Sequence, residues 1–348
     1  MAERNIFVTH SKLDNPPFNE RFTKYDQAGS AGLAVMVIKD GKTVFQKGYG
    51  LRDLETKEKI DCDTNFRLAS VSKQFTAMCV AILEEQGKIS GNDFMSQYFS
   101  DLPEYMKEIK VNHLVHHLSG LPEYGDELWS CDKSKPLVSN LDVYEFYRKK
   151  RKLDFKPGEK YEYSNGGYSL LALLIENVTN QPFPEYINEA IFNPANMKNT
   201  AIIKYPSTIK NRAISYSAWP FFEDIDFNTG NAIYGEDGIY SSLTDIESWI
   251  YALENNILIS TSMTDKVFSA AKNNGGDLVN YGYGWGIEEL NKHKMVVHTG
   301  EWAGFNTIVA HIPDKRIWFV AFSNSRAIDS WSAMEEMAKY YLDIEIPC

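Results

Sequence analysis

The chain has 348 residues, of which 43% are hydrophobic and 24% charged, and its formal net charge at pH 7 is −11. This composition is that of a globular protein with a substantial core, and it excludes a disordered or fibrous chain. The negative charge disfavours nucleic acid and anionic membrane surfaces as partners. No apolar run approaches the roughly 18 residues that a membrane-spanning helix needs.

The cysteines and the first residues indicate a reducing compartment. Four cysteines occur at irregular spacing, without a Cys-x-x-Cys pair, which favours unpaired thiols over a disulfide framework. They are Cys62, Cys79, Cys131 and Cys348. The amino-terminal segment lacks the apolar core of a signal peptide. We therefore expect a cytoplasmic protein, or a periplasmic or secreted one if a leader precedes this sequence.

The amino-terminal region predicts a helix over residues 17–28, followed by a β-hairpin. Two β-rich runs, 32–38 and 43–49, flank an Asp-Gly pair at Asp40 and Gly41, which is a strong signal for a hairpin turn. From residue 71 the apolar spacing changes to four, three and four, the period of a helix face. This helix is expected to stop near residue 87.

Residues 90–260 read as mostly helical with long loops, and the end of the chain returns to strands. Strands are predicted over 281–288, 295–298, 305–312 and 317–322, and an amphipathic helix over 330–342 closes the chain. Strands at both ends predict an α+β fold, with one antiparallel sheet built from the two termini and flanked by helices. We expect a discontinuous sheet lobe, 1–85 with 265–348, a helical lobe, 86–264, and a site in the cleft between them.

The stretch Arg67-Leu-Ala-Ser-Val-Ser-Lys73 contains a candidate nucleophile. Ser70 and Lys73 are three residues apart and share a helix face, whereas Ser72 points about 100° away from Lys73. The helix dipole and desolvation both disfavour the ammonium, so a neutral Lys73 that accepts the proton of Ser70 is plausible. Alone, a Ser-x-x-Lys pattern is more often a helix cap beside a solvated lysine.

Two further motifs carry polar groups and glycines. Tyr163-Ser-Asn165 precedes an apolar helix, where a phenol and an amide can enter a cleft, although an Asn-Gly turn is the simpler interpretation. His298-Thr299-Gly300 ends an apolar strand, where a glycine allows close approach of a substrate backbone and an edge N–H can bind an oxyanion. The simpler alternative there is a strand that ends in a turn beside a hydrogen-bonded histidine.

Together, in this order, the three motifs resemble those of the serine β-lactamase and penicillin-binding-protein superfamily, and the tyrosine is similar to the class C branch. Further stretches extend the resemblance along nearly the whole chain, at 113–122, 156–176, 192–200, 235–249 and 298–305. The resemblance implies a β-lactamase-like fold and an acyl-enzyme mechanism.

The resemblance also implies a role for each matching residue. Ser70 is the nucleophile, and Lys73 and Tyr163 manage the protons, with either one as the base. The backbone N–H groups of Ser70 and Glu301 form the oxyanion hole. Substrate-binding residues are Asn165, His298, Thr299, Gly300 and, as the best single aromatic candidate, Trp302.

The sequence departs from penicillin-recognising relatives at His298, where those proteins carry a lysine. A histidine is mostly neutral at pH 7, so recognition of a substrate carboxylate is weakened. Histidine in this place is similar to the esterase, D-aminopeptidase and β-lactamase-related branches. We expect a serine hydrolase for an ester or amide of a small molecule or short peptide. The alternatives are a β-lactamase or D-alanyl-D-alanine peptidase, and a non-catalytic acylated sensor or binding module.

No cofactor or metal is expected. His113, His116 and His117 have helical spacing, but no carboxylate or cysteine accompanies them at ligand spacing, which favours a structural role. The sequence leaves the oligomeric state open.

Overall fold

The computed structural model describes residues 16–202, 209–218 and 223–343. Most of the amino-terminal segment in which no signal peptide is expected, and Cys348, lie outside these ranges. Cys62, Cys79 and Cys131 are unpaired thiols. Over the three described ranges, no helix combines the length and the apolar character needed to cross a membrane.

Most strands lie toward the two ends of the chain and most helices lie between them, which is the pattern of an α+β protein. The strands are β1 (Leu33–Lys39), β2 (Lys42–Tyr49), β3 (Phe66–Arg67), β4 (Ala201–Ile202), β5 (Ile239–Ser241), β6 (Ala271–Lys272), β7 (Leu278–Val279), β8 (Gly286–Leu290), β9 (His293–Trp302), β10 (Phe305–Ile312) and β11 (Ile317–Ser323). The helices are α1 (Pro17–Phe22), α2 (Lys73–Glu85), α3 (Val111–Val115), α4 (Gly125–Leu128), α5 (Asn140–Lys149), α6 (Asn165–Thr179), α7 (Phe183–Ile187), α8 (Leu243–Glu254), α9 (Thr261–Val267) and α10 (Ser330–Leu342).

The main sheet joins the two ends of the chain, which confirms the predicted α+β class. Its six strands are ordered β2-β1-β11-β10-β9-β8, and every pair is antiparallel. The hairpin between β1 and β2 turns at Asp40 and Gly41, whose φ angles of 50° and 71° are those that an Asp-Gly turn supplies. Strand β1 pairs with β11, so the amino-terminal hairpin is held by the last strand of the chain.

Apolar side chains cover both faces of this sheet. On one face, α1 and α10 pack through buried residues that include Phe18, Phe22, Met334 and Met337. On the other face, apolar side chains of the strands are continuous with those of α2, α6 and α8, so the sheet and the helical region share one core. Burial on both faces explains why β1 and β11 read as uninterrupted apolar runs.

Three predicted boundaries are wrong. The strand expected over 295–298 is His293–Trp302, so His298, Thr299 and Gly300 lie inside β9 and not at its end. The first helix ends at Phe22 and is followed only by a 3₁₀ turn, Thr23–Tyr25, instead of continuing to residue 28. The strand expected from residue 281 begins at Gly286, because Gly284, with φ of 75°, lies against the backbone of Lys73 and breaks the extended run. The closing helix has the predicted bounds. The division into two lobes stays a prediction.

Candidate active site

Ser70 lies on a tight turn that leads into α2. A 3₁₀ turn, Ala69–Ser72, follows β3 directly, and α2 starts at Lys73. Ala69 has φ of 48°, a left-handed conformation that costs a non-glycine residue on the order of 1 kcal/mol or more. Ala69 is buried, so packing enforces this conformation, and Ser70 behind it stays partly accessible.

The two serines of this stretch have different surroundings. The Nζ of Lys73 lies 3.0 Å from the Oγ of Ser70. Ser72 is fully buried, and its Oγ accepts a hydrogen bond from the backbone N–H of Ile239 at 3.4 Å. The structure therefore brings Ser70 to the lysine and uses Ser72 to hold the turn against β5.

Lys73 is fully buried and donates three hydrogen bonds. Besides Ser70, its Nζ donates to the Oδ1 of Asn165 at 2.9 Å and to the backbone carbonyl of Glu236 at 3.0 Å. An ammonium has three N–H donors, so this set satisfies the charged form completely. To accept the proton of Ser70, Lys73 must first lose one of its own, and the contact with Ser70 then reverses its direction.

Asn165 is positioned by the start of α6. Ser164 caps that helix by accepting from the N–H of Gly167 at 3.3 Å, so Asn165 is the first helical residue. The Asn-Gly pair is thus a helix start and not the turn of the simpler interpretation. Its carboxamide oxygen faces Lys73 and orients the ammonium between the nucleophile and α6.

Tyr163 presents its ring to Lys73. The ammonium lies 4.9 Å from the ring centroid, a cation–π distance. The ring also packs on His117, with centroids 4.2 Å apart. In the part of the chain that the structure describes, no hydrogen bond joins the Tyr163 hydroxyl to Ser70 or Lys73. Catalytic hydrogen bonds commonly tighten only when substrate is bound, so a proton-transfer role stays a prediction.

His298 is buried, and both of its ring nitrogens have partners. Its Nδ1 lies 2.6 Å from the carbonyl oxygen of Thr299, which can only accept, so Nδ1 carries the proton. Nε2 of the neutral ring then accepts from the hydroxyl of Tyr281 at 2.8 Å. Burial, together with the charge of Lys73, lowers the pKa of His298 to about 3, although the bond to Thr299 opposes this. His298 is therefore neutral across the physiological range.

Gly300 allows β9 to lie against the turn Ala69–Ser72, which carries Ser70. A Cβ at this position would be 2.2 Å from the carbonyl oxygen of Leu68 and 2.4 Å from the Oγ1 of Thr307. The close approach expected at this glycine is therefore made by the chain's own backbone, next to Ala69. The same hydroxyl of Thr307 donates to the Leu68 carbonyl at 2.8 Å, which ties β10 to the turn.

The second half of β9 carries the other predicted substrate-binding residues. Strand β8 pairs with β9 only as far as Val297, so His298 and the residues after it lie beyond that pairing. The side chains of Thr299 and Glu301 are exposed. The indole of Trp302 is half-buried, packs edge-on against Trp129 at 4.8 Å, and donates from Nε1 to Asn231 at 2.8 Å.

Trp302 belongs to a network that reaches back to β3. Asn231 also accepts from Arg67, whose guanidinium is buried and paired with Asp237 at 2.9 Å. The guanidinium lies 5.4 Å from the Trp302 ring centroid. The network therefore holds this tryptophan beside the segment that precedes Ser70.

The sequence interpretation missed two residues of this site. Glu236 is buried, holds Lys73 through its backbone carbonyl, and accepts from the hydroxyl of Tyr124 at 2.5 Å. Its other carboxylate oxygen finds no hydrogen-bond partner among the residues that the structure describes. The sequence predicts Tyr281, the partner of His298, only as the start of a strand. In the sequence, two acidic residues between glycines, in Gly235-Glu-Asp-Gly238, indicate that Glu236 could have a special role. No comparable pattern surrounds Tyr281.

The three neighbouring histidines do not share one face. Helix α3 ends at Val115, and His117 has φ of 58°, which turns it away from the helix. The Nδ1 of His113 accepts from the N–H of Lys110, and that of His117 accepts from the N–H of Ser164. His116 contacts a separate backbone group, the carbonyl of Tyr281.

We expect Gly300→Ala to lower the free energy of unfolding by about 1–3 kcal/mol, the usual cost of overpacking, because both atoms that the methyl group meets are buried. Thermal unfolding measures this. Gly275→Ala is the matched control, since its Cβ would meet only side-chain atoms at 3.3 Å or more. Equal melting temperatures for both variants would contradict the close approach.

We expect Glu236→Gln to change how stability depends on pH. Burial raises the pKa of Glu236 to about 8 from an ordinary value of 4.5, although the charge of Lys73 opposes this. A carboxyl with a raised folded-state pKa stabilises the protein fully below its unfolded pKa, and this contribution is lost as pH rises toward 8. Relative to the wild type, the variant should therefore gain stability between about pH 5 and 8, by up to about 1.4 kcal/mol per unit.

Denaturant unfolding at several pH values measures this difference, with Glu289→Gln, at an exposed position, as the control. A difference that does not vary with pH would show that Glu236 keeps an ordinary pKa.

Comparison with known proteins places this geometry in a family. The family model described as Beta-lactamase matches residues 18–335. Penicillin-binding protein 4* of Bacillus subtilis (strain 168) is 27% identical over 307 residues, which cover 83% of this chain and 67% of that protein. The chain spans about two thirds or less of the length of the first curated relatives that it matches.

Solved structures show the same fold. The octameric penicillin-binding protein homologue from Pyrococcus abyssi has a TM-score of 0.80 at 24% identity, covering 95% of this chain and 77% of that one. D-amino acid amidase from Ochrobactrum anthropi SV3, complexed with L-phenylalanine amide, has a TM-score of 0.78 at 20% identity, covering 96% of this chain and 98% of that one. Because the family model spans nearly the whole chain, including all three motifs, this protein belongs to the Beta-lactamase family.

Proposed function

We propose that the protein is a serine hydrolase that cleaves an ester or amide bond of a small molecule or short peptide through an acyl-enzyme on Ser70. The observation that carries the proposal is the buried Lys73, whose Nζ lies 3.0 Å from the Oγ of Ser70 and 2.9 Å from the Oδ1 of Asn165. A partly accessible serine beside a lysine that a third group orients is the arrangement of an activated nucleophile. Family membership supports the same chemistry.

Before acylation, the ammonium of Lys73 releases one proton to solvent. Neutral Lys73 then accepts the proton of Ser70 as the Oγ attacks the carbonyl carbon of the substrate. The tetrahedral intermediate expels the leaving group, which takes that proton, and the Ser70 ester remains. A water molecule then hydrolyses the ester and restores the serine.

Tyr163 is the second proton-transfer group in this proposal. Its ring already faces the ammonium of Lys73. This contact keeps the tyrosine next to the lysine that lies beside Ser70, from where its hydroxyl can exchange a proton with the leaving group once substrate is bound.

The backbone N–H groups of Ser70 and Glu301 are proposed to bind the oxyanion. Gly300 supports this role, because its close approach to Leu68 sets the residue after it beside the turn that carries Ser70. Each oxyanion donor is typically worth about 3–4 kcal/mol in the transition state.

His298 favours esters and amides without a carboxylate over penicillin-like substrates. Its pKa near 3 leaves it neutral at physiological pH, and its Nε2 is occupied by Tyr281. Neither property provides the permanent cation that a substrate carboxylate requires. The D-amino acid amidase that shares the fold offers an example of amide chemistry on the same scaffold.

We expect Ser70→Ala to abolish turnover of p-nitrophenyl esters and covalent labelling by a serine-directed phosphonate, whereas Ser72→Ala keeps both. Ester turnover and intact-protein mass spectrometry measure the two effects. Labelling of the Ser70→Ala protein would contradict the assignment of the nucleophile.

The same assay separates the alternatives. Nitrocefin hydrolysis that is fast while esters and amides are untouched would indicate a β-lactamase. A phosphonate-reactive Ser70 that turns over no ester, amide or β-lactam would indicate an acylated sensor.

We expect Tyr163→Phe to lower kcat by at least about 10²-fold if the hydroxyl transfers a proton, while the ring contact with Lys73 survives. Steady-state kinetics with a p-nitrophenyl ester measures this, and Tyr251→Phe, an exposed tyrosine on α8, is the control. Near-wild-type kcat would remove the hydroxyl from the mechanism and leave the ring as a structural partner of the lysine.

A further inference from the structure

A cavity of about 310 Å³ opens beside His298, at the edge of the sheet where β8 and β9 begin to separate. We call it the Trp331 cavity. It is lined by residues that include Tyr161, Tyr163, Glu288, His298, Thr299 and Trp331. Its volume is at the lower end of the range for small-molecule sites. It shares Tyr163, His298 and Thr299 with the predicted catalytic site, so a group bound here adjoins that site.

The walls of the cavity are aromatic and partly open to solvent. Tyr161 and Tyr163 are 45% and 38% exposed, high values for large aromatic side chains. Trp331, at the start of α10, forms part of the opposite wall, and its indole Nε1 is held by Glu335 at 2.9 Å. Aromatic rings around a pocket attract cations through the negative charge on their faces.

Glu288 gives this cavity a formal negative charge. Among the described residues that line it, none is a lysine or arginine, and His298 is neutral. Burial raises the pKa of Glu288, and in the described part of the chain no lysine or arginine forms an ion pair with it. Glu288 is exposed to solvent where it lines the cavity, and a cation that enters beside it supplies the counter-ion that its carboxylate lacks among the described residues.

The nearby basic groups are engaged elsewhere. Lys73 lies behind the Tyr163 ring and donates to three acceptors. Lys160 pairs with Glu162, and Lys294 donates to the carbonyl of Phe268. The cavity therefore combines aromatic faces with a negative charge, which is the chemistry that recognises an organic ammonium group.

We propose that the Trp331 cavity is a subsite for a cationic group of the substrate, with Glu288 as its counter-ion. It selects esters or amides that carry an ammonium group near the scissile bond and rejects those that carry a carboxylate. The link to turnover rests on the proposed hydrolase function, whereas the binding of a cation does not.

The test uses three small probes of one shape and different charge: benzylammonium, benzyl alcohol and benzoate. Their dissociation constants for the full chain are measured by calorimetry, or by tryptophan fluorescence, at low ionic strength. The expected order is benzylammonium tightest and benzoate weakest. In Glu288→Gln, the affinity for benzylammonium should fall at least about 10-fold, while that for benzyl alcohol stays within about twofold.

Glu289→Gln is the matched control, because successive residues of a strand point to opposite faces and Glu289 is exposed. It should bind all three probes as the wild type does. Equal affinity of wild type and Glu288→Gln for benzylammonium, or tighter binding of benzoate than of benzylammonium, would overturn the subsite.

A kinetic arm separates this inference from the proposed function. Benzylammonium should inhibit ester hydrolysis competitively in the wild type and at least about 10-fold more weakly in Glu288→Gln. If no ester or amide is turned over but the binding order holds, the hydrolase proposal fails and the cation site stands. If esters are turned over but charge does not affect binding, the subsite fails and the hydrolase stands.

Discussion

The buried ammonium of Lys73 is the interaction on which this structure depends. An unpaired charge away from water costs several kcal/mol, so burial requires that every N–H of the ammonium find an acceptor. The acceptors come from the turn before α2, the start of α6 and the loop before β5, as Ser70, Asn165 and Glu236. Elements far apart in the chain must therefore meet at one point, and the packing that satisfies the lysine also assembles the site.

The main sheet also contacts the turn that carries Ser70. Gly300 lets β9 contact the carbonyl of Leu68, and the packing there holds Ala69 in a left-handed conformation. The position of Ser70 is thus set by a strained turn between a helix and a strand edge. Strain of this kind persists only where the surroundings determine the backbone, which is the case when the residue before the nucleophile is buried.

The sequence predicted the elements that follow a periodic pattern of apolar residues, and it missed contacts between distant residues that follow no such pattern. The spacing of apolar residues gave the helix after Ser70, and the alternation of strands and turns gave the antiparallel sheet. Nothing local predicts that Tyr281 reaches His298 or that the carboxyl of Glu236 is buried, because both contacts depend on how distant loops pack. Gly300 was recognised as a close approach, but its partner, the backbone of Leu68, lies more than 200 positions away in the sequence.

Electrostatics then distinguishes this site from a cleft that binds carboxylates. Lys73 has used its donors inside the protein, and His298 is held as a neutral ring between Thr299 and Tyr281. To gain a proton at Nε2, this buried histidine requires the hydroxyl of Tyr281 to stop donating and to accept instead. The positive charge of Lys73 is thus engaged by its three acceptors inside the protein, while Glu288 lines an aromatic cavity. We therefore expect the proposed site to prefer positively charged substrates, and the residues around Lys73 and His298 to contribute to that preference.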